Sequence, residues 1–139
     1  MIILDTNVLS EILRPVPSVA VLDWFEKQSA KDLCFTAITE AEMLHGFALL
    51  PVGKRRGRLE ELYESAIRAA FPREPLPFTS SACPHYAEIL ATARRLGQPI
   101  AQADAMIAAI ARANQATLAT RNTRDFLRTG VKLVDPWKG

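Results

Sequence analysis

The stretch Met1-Ile-Ile-Leu-Asp-Thr-Asn7 opens the chain and sets the interpretation of the rest. Ile2–Leu4 is a short, continuous apolar run, which is typical of a strand buried on both faces of a parallel sheet. Asp5 ends the run where the strand would leave the sheet. Because ligands of open α/β sheets bind at the carboxyl ends of the strands, Asp5 is a candidate site residue. Asp is also a good helix N-cap, so Asp5 alone indicates either a site or a cap.

Length and composition limit the class of protein. The chain has 139 residues, which predicts a single domain spanning 1–139, and 49% of them are hydrophobic, enough for a core without cross-links. The net charge of +2 is compatible with nucleic-acid binding but does not predict it. Cys34 and Cys83 lack metal-site spacing and are expected to be reduced thiols. No signal peptide and no apolar run of about 18 residues is found, so we expect a soluble, cytoplasmic protein without a membrane segment.

Strand and helix patterns alternate along the chain, which predicts an α/β domain with a central, mostly parallel sheet flanked by helices. After the first strand, further strands are predicted at Leu33–Ala37, Ala116–Thr120 and Val131–Asp135, with a short strand or edge segment at Leu76–Thr79. Helices are predicted at Thr6–Leu13, after Ser18, from Thr39 to Leu50, over 54–70, up to Leu96, at Ala101–Asn114, and from Asn122 to Arg128. Thr39 and Glu42 have capping-box spacing at the start of the third helix.

Four carboxylates occupy equivalent places in this pattern. Asp5 follows the first strand, and three others are expected in the first turns of helices, namely Glu42, Asp104 and Asp125. Parallel strands share one carboxyl edge, so these side chains are expected to converge on one cleft. Clustered carboxylates repel each other and therefore need a cation, and an all-oxygen ligand set suits Mg²⁺ or Mn²⁺. Such ions can activate water and clamp a phosphate during phosphodiester hydrolysis.

Each carboxylate also has a purely structural interpretation. Acidic side chains in a first helical turn offset the helix dipole. Glu42 could be the capping partner of Thr39, and Asp125 could be the partner of Asn122. Asp104 fits this explanation least well, because the segment that follows it is apolar.

Four segments together carry a resemblance to a known family. They are Ile3-Leu-Asp-Thr-Asn-Val-Leu-Ser-Glu11, Ile38-Thr-Glu-Ala-Glu-Met-Leu-His-Gly46, Ala103-Asp-Ala-Met-Ile-Ala-Ala109 and Leu118-Ala-Thr-Arg-Asn-Thr-Arg-Asp-Phe126. In order and spacing the chain resembles PIN-domain proteins, in particular the VapC toxins of toxin–antitoxin pairs and their FitB-like branch. The resemblance covers nearly the whole chain.

The resemblance implies a fold, an activity and partners. It implies a PIN-like fold and a metal-dependent endoribonuclease that acts on RNA, with Asp5, Glu42 and Asp104 holding Mg²⁺ or Mn²⁺. It also implies a cognate antitoxin and a homodimer. The chain departs from the family pattern at the fourth acidic position, which corresponds to the amide Asn122. Asp125, three residues later, either supplies the missing charge or only supports the site.

Further residues near the predicted cleft have two interpretations each. Thr6 and Thr120 could orient a carboxylate or bind water, or could serve as core and capping residues. Glu40 points away from Glu42 around the helix and is expected to offset the helix dipole or to support the site indirectly. Arg121 and Arg124, which share a helix side with Arg128, could hold substrate phosphates or form surface ion pairs.

Two other functions are compatible with parts of the sequence. A phosphoacceptor signalling domain also gathers aspartates at the carboxyl edge of a parallel sheet, but it expects an acidic pair after the first strand, where Thr6 and Asn7 stand instead. It also expects an Asp at the end of the central strand, where Ala37 stands. A catalytically silent nucleic-acid-binding module with the same fold is kept open by Asn122.

Overall fold

Four short strands form one sheet in the computed structural model, which describes all residues from Met1 to Gly139. The strands are β1 (Ile2–Leu4), β2 (Leu33–Cys34), β3 (Thr117–Ala119) and β4 (Lys132–Val134). Their order is β2-β1-β3-β4, and every neighbouring pair is parallel. In the register, Ile3 lies opposite Cys34 on one side and Leu118 on the other. The prediction of an α/β fold around a parallel sheet is confirmed.

Seven α-helices connect and flank the strands. They are α1 (Thr6–Ile12), α2 (Val19–Glu26), α3 (Ala37–Ala48), α4 (Lys54–Leu62), α5 (Cys83–Arg95), α6 (Gln102–Ala113) and α7 (Thr123–Phe126). The chain continues from α4 directly into a π-helical segment, Tyr63–Arg68, so the single long helix predicted over 54–70 changes its winding halfway. Short 3₁₀ turns lie at Ala30–Asp32 and Ser80–Ala82. None of the helices combines the length and the apolar character needed to cross a lipid bilayer.

The strand order creates a switch point between β1 and β3. From β1 the chain moves outward to β2, returns to the other side of β1 to form β3, and then continues outward to β4. The crossovers on the two sides therefore diverge above the carboxyl ends of β1 and β3, which leaves a crevice there. Asp5 directly follows β1 and Thr120 directly follows β3, so both residues lie at this crevice.

Alternate strand residues contribute to two separate core layers, as the pleat of a strand requires. Ile3 and Leu118 pack with α5 and α6 in one layer, whereas Leu4 and Ala119 pack with α1 and α3 in the other. In α6 every residue from Ile107 to Ala111 is fully buried. A helix that is apolar nearly all round must be enclosed, and α6 is enclosed as predicted from its alanine and isoleucine content.

The start of α3 differs from the prediction. Thr36, not Thr39, is the N-cap, and its Oγ1 accepts a hydrogen bond from the Thr39 backbone N–H at 3.1 Å. Thr36 has the extended backbone that an N-cap needs, because its neighbours are paired with Leu76 through two backbone hydrogen bonds of 2.9 Å. The predicted capping box of Thr39 and Glu42 is therefore wrong, and Glu42 lies in the second turn of the helix.

Three smaller differences have local causes. The predicted segment Leu76–Thr79 is reduced to a single parallel bridge between Leu76 and Thr36, since Pro77 has no N–H with which to extend the ladder. Ser18 and Asn122 precede α2 and α7 as predicted, but neither side chain makes a capping hydrogen bond. Gly97 follows α5 with a φ of +63°, which is the left-handed conformation expected for a helix C-cap glycine.

Replacing the capping hydroxyl of α3 is expected to weaken the fold. Thr36→Val should lower the free energy of unfolding by about 1 kcal/mol, because the Thr39 N–H loses its acceptor while the side-chain shape is kept. Ser18→Ala is the control, since the Ser18 hydroxyl makes no cap bond, and should change it by less than about 0.5 kcal/mol. Chemical denaturation of both variants measures the difference, and equal losses would contradict the assigned cap.

Candidate metal-binding cleft

A cleft of about 480 Å³ opens at the carboxyl edge of the sheet, over the switch point. Almost all of its lining side chains are polar: Asp5, Thr6, Asn7, Ser10, Glu11, Arg14, Glu42, Asp104, Arg121, Asn122 and Trp137. The three carboxylates predicted from the sequence to hold a metal, Asp5, Glu42 and Asp104, are all among them. The structure therefore brings together side chains from the residue after β1, from α3 and from α6, which are far apart in the sequence.

Asp5 is both a helix cap and a cleft residue, so the two sequence interpretations are compatible. The residue is 5% exposed. Its Oδ1 accepts a hydrogen bond from the Thr6 N–H at 2.8 Å. Its Oδ2 accepts from Thr120 Oγ1 at 2.7 Å and from Asn7 Nδ2 at 3.3 Å. A carboxylate has about four acceptor positions, so these three bonds fix the group and leave room for one more ligand.

Thr6 links the first helix to Glu42. Its hydroxyl donates to Glu42 Oε1 at 2.8 Å and lies 3.3 Å from Thr39 Oγ1. Glu42 is an exposed residue on α3, and this hydrogen bond is the only one that its side chain makes within the protein. Thr6 therefore orients a carboxylate at the cleft, which is one of the two roles considered for it.

Asp104 lies in the first turn of the enclosed helix α6 and is only partly exposed. Burial, together with the negative charges of Asp5, Glu42 and Asp125, raises the pKa of Asp104 to about 6. Burial also raises the pKa of Asp5, against the opposing effect of its hydrogen bonds from Thr120 and Thr6. Asp5, Glu42 and Asp104 form no ion pair with a Lys, Arg or His side chain, whereas Glu11, the fourth carboxylate that lines the cleft, pairs with Arg14 at 3.2 Å. The protein leaves their mutual repulsion uncompensated.

The donor set fits a hard, hydrated cation. The carboxylate and hydroxyl side chains of the cleft offer oxygen atoms only, and no His or Cys lines it, which is the donor chemistry that Mg²⁺ and Mn²⁺ prefer. No group of three or more His, Cys, Asp and Glu side chains is close enough to form a ready-made metal cage. Mg²⁺ usually keeps several waters and takes only one or two carboxylates, so an open cleft suits it better than a closed cage would.

The two candidates for the fourth acidic position lie in different places. Asn122 lines the cleft, and its backbone N–H donates to Thr120 Oγ1 at 3.1 Å. Asp125 lines a neighbouring groove of about 430 Å³ together with Arg124. It acts on the cleft through its charge, which contributes to the raised pKa of Asp104. Of the two arginines predicted to contact substrate, only Arg121 lines the carboxylate cleft.

Glu40 is not part of the cleft. Tyr63 donates its hydroxyl hydrogen to Glu40 Oε2 at 2.5 Å, and Arg68 Nε lies 3.4 Å from the same oxygen. Both partners belong to the π-helical segment Tyr63–Arg68. Glu40 therefore joins that segment to α3, the helix that carries Glu42. It is also the acidic residue in the first turn of α3, as the dipole argument requires.

Several cleft residues were missed in the sequence. Asn7 connects the two strand ends, because its Nδ2 donates to Asp5 and also to Thr120 Oγ1 at 3.3 Å, while its Oδ1 accepts from the Arg121 N–H at 3.2 Å. Glu11 is buried and accepts hydrogen bonds from Arg14 at 3.2 and 3.3 Å and from the Ser18 N–H at 3.0 Å.

A helical pattern could have revealed part of this set. Asn7 and Glu11 are four residues apart and therefore share one side of α1, and Arg14 follows three residues later, just beyond the end of the helix. That side is polar, whereas Val8 and Leu9 on the same helix are fully buried. Trp137, the apolar side chain of the cleft, had no such signal, because it lies in an irregular segment after β4.

Comparison with known proteins agrees with this architecture. The model of the PIN domain family matches residues 2–132. The chain is 44% identical over 138 residues to the plasmid stability protein StbB of Pseudomonas syringae pv. tomato, and 42% identical over 137 residues to toxin FitB of Neisseria gonorrhoeae. It is 40% identical over 138 residues to the VapC ribonuclease Y4jK of Sinorhizobium fredii. In all three comparisons the match covers 99% of both chains.

Solved structures give the same result. The crystal structure of FitAcB from Neisseria gonorrhoeae superposes with a TM-score of 0.91 at 42% identity and covers 99% of both chains. The DNA-bound VapBC structure from Salmonella typhimurium superposes with a TM-score of 0.79 at 25% identity and covers 97% of both chains. The family model and the full-length relatives agree on one assignment: the chain belongs to the PIN-domain family.

Proposed function

We propose that the chain is a metal-dependent endoribonuclease and the toxin of a toxin–antitoxin pair. The observation that carries this proposal is the cleft itself, which Asp5, Glu42 and Asp104 line without forming an ion pair with any basic side chain. Relatives of the same length that are named as a VapC ribonuclease and as toxin FitB support the choice of substrate and role.

The proposed roles follow from the contacts. Asp5, Glu42 and Asp104 would hold Mg²⁺ or Mn²⁺, which supplies a Lewis acid that activates water and offsets charge on a phosphate. Thr6 and Thr120 hold two of these carboxylates in place through hydrogen bonds of 2.8 and 2.7 Å.

Roles are also proposed for Arg121 and Asn122, an arginine and an amide side chain that line the cleft beside the carboxylates. Arg121 would contact the RNA backbone, since phosphate contacts position a nucleic acid. Asn122 is the better candidate for the fourth position, because it lines the cleft and Asp125 does not. Asp125 would then act at a distance, through its charge on Asp104.

The proposed function also includes two protein partners, an inhibitory antitoxin and a second copy of this chain. The structural relatives include complexes named FitAB and VapBC, three of them bound to DNA. By analogy, this chain would bind a cognate antitoxin that blocks the cleft and would form a homodimer. With RNA as its substrate, it would act in the cytoplasm.

Cleavage should depend on the carboxylates. Asp5→Asn and Asp104→Asn should each reduce cleavage of total cellular RNA more than tenfold in the presence of Mn²⁺, because a neutral amide is a poor ligand for a hard dication. Asp23→Asn is the matched control, since Asp23 is exposed on α2. An Asp5 or Asp104 variant with more than a tenth of the wild-type activity would contradict the assigned ligands. RNA that is bound but never cut by the wild type would favour the catalytically silent module.

Stability without metal should depend on pH through Asp104. Its pKa of about 6 in the folded protein exceeds the ordinary value of 3.8, so the folded state holds this proton more tightly than the unfolded state. The resulting stabilisation is present below about pH 4 and is lost as the pH rises towards 6. Relative to Asp104→Asn, the wild type should lose about 1 to 2 kcal/mol over that range, allowing for solvent screening of a half-exposed group. Urea denaturation with chelator at several pH values measures it, and a parallel pH dependence of the two proteins would contradict it.

Binding of Mn²⁺ should stabilise the folded protein, whereas ionisation of Asp104 destabilises it. A cation that binds only the folded state adds about 2.7 kcal/mol at a hundredfold excess over Kd, so the Tm of the wild type should rise with Mn²⁺. Asp104→Asn removes a repelling charge, so with chelator it should melt at or above the wild type, and it should lose most of the Mn²⁺ response. Thermal melts with chelator and with titrated Mn²⁺ separate the alternatives. An intact Mn²⁺ response in the variant would assign Asp104 to the helix dipole alone.

The fourth position can be assigned by comparing two alanine variants. Asn122→Ala should reduce RNA cleavage more than Asp125→Ala, because only Asn122 lines the cleft. The rate of cleavage under saturating Mn²⁺ is the measurement. The reverse ranking would show that Asp125 supplies the missing carboxylate.

A further inference from the structure

Trp137 occupies an unusual place in the cleft. It is the one apolar side chain among those that line it. Its backbone is fixed by a turn, in which the Trp137 N–H donates to Asp135 Oδ1 at 2.9 Å and the Lys138 N–H donates to the Asp135 carbonyl oxygen at 3.1 Å. The indole is partly buried and packs against the core layer that contains Leu4 and Ala119. The ring is therefore a fixed apolar surface beside the carboxylates.

Arg121 lies over this ring. The centre of its guanidinium group is 5.0 Å from the centroid of the Trp137 ring, which is within the range of a cation–π interaction. Arg121 lines the same cleft as the three carboxylates, yet it forms no ion pair with any of them. Its guanidinium also donates no hydrogen bond within the protein, and only its backbone N–H is used, by Asn7.

This arrangement keeps a basic group available at the rim of an acidic cleft. A free arginine beside uncompensated carboxylates would gain energy by pairing with one of them, which would block a ligand position. A guanidinium that rests on an aromatic ring retains its N–H donors at the edge of its plane, where a phosphate can accept two of them.

We propose that Trp137 is a positioning residue for RNA: its indole holds the Arg121 guanidinium away from the carboxylates, in a position to bind a backbone phosphate of the RNA strand. The inference rests on the proposed ribonuclease function, because it takes RNA as the ligand of the cleft. It assigns the indole to the arginine rather than to a nucleobase, since the ring is already in contact with the core and with Arg121.

Binding of RNA tests the coupling between the two side chains. The probe is a short single-stranded oligoribonucleotide of mixed sequence with a fluorescent label, and its anisotropy is measured with Ca²⁺ in place of Mn²⁺ over a range of salt concentrations. Trp137→Leu and Arg121→Ala should each weaken binding about two- to fivefold. Each should also lower the slope of log K against log salt by roughly one, as expected for one lost phosphate contact.

The double variant and a conservative variant make the test specific. Trp137→Leu combined with Arg121→Ala should bind no more weakly than Arg121→Ala alone, because both changes remove the same contact. Trp137→Phe should retain most of the binding, since a phenyl ring also attracts a guanidinium. Thermal melts of each variant verify folding, and the tryptophan emission of Arg121→Ala carries the test if the leucine variant does not fold.

Tryptophan emission gives a readout that does not depend on RNA. Arg121→Ala should change the emission of the otherwise wild-type protein, and the same change should be absent in the Trp137→Phe background, where only the buried Trp24 remains. Arg124→Ala is the matched control, because Arg124 lines the neighbouring groove and should leave the emission unchanged.

The outcomes separate this inference from the proposed function. An unchanged salt slope in Trp137→Leu, or losses that add to those of Arg121→Ala, would overturn the inference even if RNA is cut. The coupled pattern in a protein that binds RNA but cuts none would support the inference and reject the ribonuclease. Loss of antitoxin inhibition in Trp137→Leu with unchanged RNA binding would overturn it in favour of a protein-contact role.

Discussion

The hydrogen bond from Thr120 to Asp5 is the interaction on which the cleft depends. It joins the residues that follow β1 and β3, the two strands between which the chain reverses its direction of winding. Asn7 contacts both partners and the backbone of Arg121, so the two strand ends form one bonded unit. Around this unit the protein places Glu42 and Asp104 without a neutralising cation of its own. Folding therefore concentrates negative charge in the cleft and leaves it unpaired, which is the observation from which a bound cation is proposed.

The sequence was sufficient to predict those parts of the structure that depend on long hydrophobic patterns. The apolar run before Asp5, the alternation of strands and helices and the enclosed helix at Ala101–Asn114 all follow from hydrophobic content, which reflects burial directly. The convergence of Asp5, Glu42 and Asp104 followed from the shared carboxyl edge of parallel strands. The start of α3 did not follow, because Thr36 and Thr39 are both good caps. The choice between them is made by pairing with Leu76, forty residues later in the chain.

The second feature that the sequence could not predict was the direction of side chains on short elements. Helix α7 has only four residues, too few for helical spacing to predict which side chains face the cleft, and both Arg124 and Asp125 line the neighbouring groove. Glu40 and Glu42 are two residues apart and therefore lie on different sides of α3. Glu40 contacts the π-helical segment, and Glu42 lines the cleft. The position of Trp137 could not be predicted from the sequence, because it is set by a turn and by packing rather than by a repeating pattern.

The enclosure of α6 gives the two walls of the cleft different mechanical properties. Asp104 is carried by a helix whose Ile107–Ala111 segment is entirely buried, whereas Glu42 is carried by an exposed surface of α3 and is held by one hydroxyl. Close-packed interiors transmit displacement, so a bulkier residue at Ala108 or Ala109 would shift Asp104 although neither alanine reaches the cleft. Glu42, on the exposed side of the cleft, can instead move at little cost to the packing. The cleft therefore has one rigid wall, which is set by the alanine-rich core, and one compliant wall, which is held by a single hydrogen bond.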